Sequence, residues 1–285
     1  MTRRRPGFLT GLWLNPAGRA GCVLVGLVVV GGLLAAVGAT PYNAQLQNPL
    51  TTLKGPSLGH PFGTDQFGRD LLSLVLEGLW VSLKIAFLAV AIAGVAGTLA
   101  GIIAGYLGRW TSALIMRVTD MLFAIPAILL ALAIVTALGP GALDSALAIG
   151  VGYVPIFVRV VRGPVLSLRT AGYVQAGRVL GFSATRLLFR HIVPNVAGTV
   201  AVQASLALAW SVLAEASLSF LGLGPPPPTA SLGEMVSQSS SLASQAWWTL
   251  AAPSVAIVVA VIGFNFLGDG LRDVFDPRSR TALAA

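Results

Sequence analysis

Cysteine is almost missing: Cys22 stands alone in 285 residues, so no disulfide can close within the chain and no cysteine-based metal site can be built. Histidine is nearly as scarce, with His60 and His191 only, and no HExxH, GxSxG or paired-cysteine motif occurs. The two lysines, Lys54 and Lys84, each follow a leucine, so there is no GxxxxGK(S/T) loop to cradle a nucleotide's phosphates. Charge of either sign is thin at 10% of residues, against about a quarter in soluble domains. These shortages exclude P-loop ATP hydrolysis and leave no reactive group for metal-dependent or nucleophilic hydrolysis. Ser217 and Ser219 have no histidine in reach.

What fills the chain instead is apolar: 55% of residues are hydrophobic. The expected fold class is therefore an all-α polytopic membrane protein. Largely uncharged length places six transmembrane helices at about 21–40, 81–107, 113–138, 142–161, 196–221 and 248–267, each at least as long as the ~20 residues a bilayer requires. The first follows Arg3, Arg4, Arg5 and Arg19, a start that a secretory signal would share; its length and the spans that follow favour an uncleaved helix.

The net charge of +8 does not indicate nucleic acid, because the positive residues lie between apolar runs rather than on one soluble face. They set orientation instead. With the N- and C-termini cytoplasmic, 15 of the 18 lysines and arginines fall inside; Lys54 and Arg69 lie outside, and Lys84 sits near an outer helix end. His60 and His191 then lie on opposite sides and cannot share a metal.

The organisation that follows is a tail, first span and external loop over 1–79, a core over 80–270 and a cytoplasmic tail over 271–285. Prolines at 41, 49, 56 and 61 keep the external loop from long helices, and Thr64 or Asp65 could cap a short amphipathic surface helix after it. Asp65 and Asp70 fit no calcium loop and suit capping and ion pairing. Gly97, Gly101 and Gly105, one turn apart, mark a close helix contact, either inside the chain or with another subunit. Pro225 to Pro228 form a stiff external turn, and Trp247 and Trp248 suit an interfacial belt.

Two acids stand within apolar runs, where ionisable groups are costly and usually functional. Asp120 follows Arg117 by three residues, so an ion pair on one helix accounts for it. Glu215 has no basic neighbour on its own helix and needs a partner elsewhere, so a gating role and a structural one both stay open. Asn265, in the last span, is a third pathway candidate. An ion-coupled transporter or channel using Glu215 and Asp120 is the competing functional class.

The longest polar passage, YVQAGRVLGFSATRLLFRHIVPN at 173–195, belongs to a cytoplasmic loop over 163–195. Tyr173 to Leu180 should form one short helix ended by Gly181 in a left-handed conformation, and Ser183 should cap a second helix. Gly177 and Gly181 leave a bare patch for another protein, and Pro194 should break the element before the fifth span. Such an elbow suits force transmission, or else it lies along inner headgroups on its arginines.

This passage resembles the EAA loop of ABC-importer permease subunits, with Gln175, Ala176, Gly177, Gly181, Val193 and Pro194 at the motif's places. HPFGTDQFGRDLLSLVLEGLWVSL, SFLGLGPPPPT and FNFLGDGLRDVFDPR are similar to the dipeptide, oligopeptide and nickel branch. The resemblance implies a type I ABC-importer permease fold in the bacterial inner membrane. It also implies a second, related permease, two cytoplasmic ATPase domains that bind ATP and Mg, and an extracytoplasmic substrate-binding protein. No cofactor is expected in this chain. Tyr173, Gln175, Ala176, Gly177, Arg178, Gly181, Arg190, His191 and Pro194 then form the ATPase-coupling loop. Gln175 and Gly177 replace the motif's Glu and second Ala, which removes an acidic contact at its start.

Overall fold

The computed structural model describes residues 8–275, so Arg3 to Arg5 and the tail beyond 275 lie outside the described residues. Eleven α-helices are described: α1 (Phe8–Leu14), α2 (Pro16–Ala36), α3 (Leu71–Tyr106), α4 (Arg109–Phe123), α5 (Ala127–Leu138), α6 (Ala142–Arg169), α7 (Gly172–Val179), α8 (Ala184–Leu187), α9 (Val193–Phe220), α10 (Leu232–Ser239) and α11 (Trp247–Phe275). Five helical stretches are long and apolar enough to cross a membrane, and the bent pair α4–α5, counted as one span, brings the number to six.

The third span is not the single helix expected from its uncharged length. It breaks after Phe123 and turns by 85° before α5. Pro126 accounts for the position of the break, because it lacks an N–H and drives the preceding Ile125 away from helical geometry. The second span also differs from expectation. No separate surface helix precedes it; α3 runs unbroken for 36 residues from Leu71. Its cap is Asp70, not Thr64 or Asp65, with Oδ2 accepting from Ser73 N at 2.9 Å and Ser73 Oγ at 2.7 Å.

Thr64 instead stitches the external loop, accepting from Lys54 N at 2.9 Å. Asp65 closes a turn by accepting from Phe67 N and Arg69 N, and pairs with the Arg69 guanidinium at 2.7 Å. Trp248 is more than a belt residue, since its Nε1 donates to Thr64 O at 3.2 Å and ties α11 to this loop.

The buried core lies among α3, α6 and α9, and α11 packs between α2 and α9. The glycine stripe of α3 is used inside the chain. A Cβ at Gly97 would lie 2.4 Å from Phe157 Cβ, at Gly101 2.8 Å from Val158 O, and at Gly105 2.7 Å from Val165 Cβ, all on α6. The two backbones approach as closely as they do only because those side chains are absent.

Candidate functional site

The elbow between α6 and α9 is built from short elements locked end to end. Helix α6 carries on past its expected end at Val161 to Arg169. At the end of α7, Gly181 takes φ +80°, Phe182 N donates to Gly177 O at 2.9 Å and Gly181 N to Arg178 O at 3.0 Å. That double bond is the Schellman closure, which satisfies carbonyls a helix end would otherwise leave open. Ser183 Oγ then accepts from Arg186 N at 3.3 Å and starts α8.

Pro194 does not break the chain as expected. A wide π turn over Leu188–Ile192 leads directly into α9, and Pro194, its second residue, is accommodated just after that widened turn, where the regular hydrogen-bond ladder is already shifted. Ala184 to Phe220 is thus one 37-residue helical stretch.

Buried Val174, Leu187 and Ile192 anchor the elbow to the spans, where Ile192 joins Val161, Val165 and Val196 in a small core. Gly177 is not the bare patch expected from sequence. It is buried, and a Cβ there would meet Leu187 Cδ2 at 2.9 Å and Phe182 Cδ2 at 3.1 Å. Gly181 has open space around it. His191 is stacked with Phe182 at 6.5 Å between ring centroids and lies 6.2 Å from the Tyr173 ring. Arg186 sits 4.1 Å over Phe182, and Arg178 is 5.5 Å over Tyr106 at the end of α3. Gln175 Nε2 donates to Arg169 O at 3.1 Å, so the residue standing at the motif's acid ties the elbow to its own span. Ala176, Arg190 and Pro194 are exposed.

Sequence reasoning passed over the elbow's outer surface. Val179, Leu180 and Phe189 are 89%, 73% and 70% exposed, three large apolar side chains on one short polar passage between two spans. The signal was present as three large apolar residues inside a polar passage, but only the fold shows that Val179, Leu180 and Phe189 point outward while Val174 and Leu187 point in.

The pathway candidates are not brought together. Glu215 is fully buried, with Oε2 accepting from Ser82 Oγ at 2.5 Å and Oε1 accepting from Ser219 Oγ at 2.8 Å and Ser231 Oγ at 3.3 Å. Those serines lie on α3, on α9 itself and just before α10, so the carboxyl group joins three elements. Asp120 pairs with Arg159 of α6 at 2.6 Å rather than with Arg117, and both side chains are largely exposed. Asn265 Nδ2 donates to Val261 O at 2.8 Å within α11. A cavity of about 260 Å³ opens between α5, α6 and α9, lined by Ala127, Ala131, Tyr153, Trp210, Leu213 and Ser217 among others.

A bent third span and a two-helix elbow joining α6 to α9 define the class, a type I importer permease fold. The methionine ABC transporter MetNI, in inward-facing conformations, superposes with a TM-score of 0.60 at 20% identity, covering 70% of this chain and 96% of the matched one. An amino acid ABC transporter gives a TM-score of 0.54 at 16% identity over 69% and 91%. The chain belongs to the family of binding-protein-dependent transport system inner membrane components, whose model matches residues 97–281. It is 42% identical over 262 residues to the dipeptide transport system permease protein DppC of Alkalihalophilus pseudofirmus, covering 90% of this chain and 86% of that one. Identity is 37% to the di/tripeptide transport system permease protein DppC of Pseudomonas aeruginosa, over 97% and 94%. To the glutathione transport system permease protein GsiD of Pectobacterium atrosepticum it is 39%, over 85% and 80%.

Proposed function

We propose that this chain is the permease subunit of an ATP-driven importer for di- or oligopeptides in a bacterial inner membrane. A second, related permease completes the pathway, two cytoplasmic ATPase domains bind ATP and Mg, and an extracytoplasmic binding protein delivers the solute. The observation that carries this reading is the exposed apolar surface of Val179, Leu180 and Phe189 on a rigid elbow. Such a surface is suited to a buried protein contact, and its ties to α6 and α9 pass any movement to the spans beside the cavity.

The mechanism is alternating access. Closure of the ATPase pair on ATP displaces the elbow, α6 and α9 follow, and the cavity between α5, α6 and α9 changes its exposure from one face to the other. Chemistry at phosphate belongs to the partners; this chain contributes the lever and half of the path. The names of the relatives support peptides as the solute class.

The test is uptake of a labelled dipeptide into proteoliposomes. Transport should require the ATPase subunits and the binding protein, be stopped by vanadate, and persist when the proton gradient is collapsed. Uptake by this chain alone, or its loss with a protonophore, would overturn the reading.

A further inference from the structure

At the cytoplasmic corner where α3 turns into α4 and α6 ends, a groove of about 450 Å³ opens to the surface. Arg109, Arg162 and Arg169 line it, together with the apolar side chains of Leu107, Met116 and Leu166. Arg162 is held in place by its Nε, which donates to Ser112 Oγ at 3.2 Å. None of the three forms an ion pair among the described residues. Like charges gathered along one cleft raise each other's energy unless an anion joins them.

The second observation is independent of side-chain charge. Helix α4, 15 residues long, starts at Arg109 after Gly108, which as N-cap residue gives no side-chain cap, and Gly108, Arg109, Ser112 and Ala113 at this end line the same groove. An uncapped helix start presents backbone N–H donors and the positive end of the helix dipole. A site combining these donors with guanidinium groups suits phosphate oxygens.

We propose that this groove binds the phosphate of an anionic glycerophospholipid in the inner leaflet. The apolar wall gives the ligand's acyl chains a surface that inorganic phosphate could not use. Leu107 of the groove is 47% exposed and Trp110, the second residue of α4, is 89% exposed, the profile of residues at a lipid boundary. An acidic protein segment would leave that apolar surface uncovered.

The experiment uses the purified importer complex, delipidated and then titrated with phosphatidylglycerol or phosphatidylcholine, with bound lipid counted by native mass spectrometry. Phosphatidylglycerol should be retained preferentially, and the variant Arg109→Gln/Arg169→Gln should weaken its retention about tenfold. Arg117→Gln, on α4 but outside the groove, should change nothing. Should the double variant fail to assemble, the single Arg109→Gln at an exposed position carries the comparison, with a smaller loss. Equal retention of both lipids, or unchanged retention in these variants, would overturn the proposal. Displacement by inorganic phosphate at concentrations matching the lipid's would reassign the groove to a free anion. Loss of ATPase subunits with lipid retained would make it a protein contact.

Discussion

Ser82 on α3 donates to the Glu215 carboxyl on α9 at 2.5 Å, and both residues are buried away from solvent. With Ser219 and Ser231 donating to the other oxygen, the acid is a three-way knot and not an open proton site. Glu215→Gln exchanges one acceptor oxygen for an amide donor, so at least one serine loses its partner. The expected cost is about 1–3 kcal/mol, seen as a lower thermal midpoint in detergent, with dipeptide uptake retained. Abolished uptake at unchanged stability would restore a gating role.

How legible was this in the sequence? The spans could be counted because a bilayer demands about 20 uncharged residues each. The Gly181 turn was readable because a glycine flanked by two short helical patterns has few other uses. The partners of Glu215 were not, since Ser82 lies 133 residues away and serine is too common to single out. Asp120 misled for a similar reason: Arg117 is its neighbour along the chain, but Arg159 reaches it across helices. Pro126 was the missed signal for the bend, masked by the apolar run around it.

Gly181→Val tests the elbow's rigidity. At φ +80° a β-branched side chain costs about 1–3 kcal/mol, which the elbow can relieve by opening its Schellman closure. ATP hydrolysis should continue while uptake per ATP falls several-fold, with insertion normal. Asn tolerates left-handed geometry, so Gly181→Asn should couple almost as the unmodified chain does. Normal coupling in the valine variant would count against the lever.

The outer surface of the elbow should behave as an interface centre. Leu180→Asp or Phe189→Asp places a charge where apolar contact is expected, with no buried neighbour lost within the chain. Truncation of anchoring residues at such contacts costs about 2 kcal/mol or more, so ATPase association should weaken at least tenfold in pull-down titrations. Ala176→Ser, at an exposed small residue of the same short helix α7, should have little effect.

The α3–α6 contact gives the sharpest stability comparison, because two glycines one turn apart meet different surroundings. A methyl at Gly97 would fall 2.4 Å from Phe157 Cβ and 2.8 Å from Val154 O, so α3 and α6 must separate. At Gly94 the nearest atom would be Phe157 Cε1 at 3.7 Å, an ordinary contact. Gly97→Ala should therefore destabilise by roughly 1–3 kcal/mol or more, while Gly94→Ala should be neutral or slightly stabilising through helix propensity. Fluorescence-detected yield and melting of the two variants decide it. The side chains of α6 cannot retreat from Gly97 without disturbing Phe157, which is itself fully buried. Equal behaviour of the two alanines would mean that these helices do not pack through the glycine stripe.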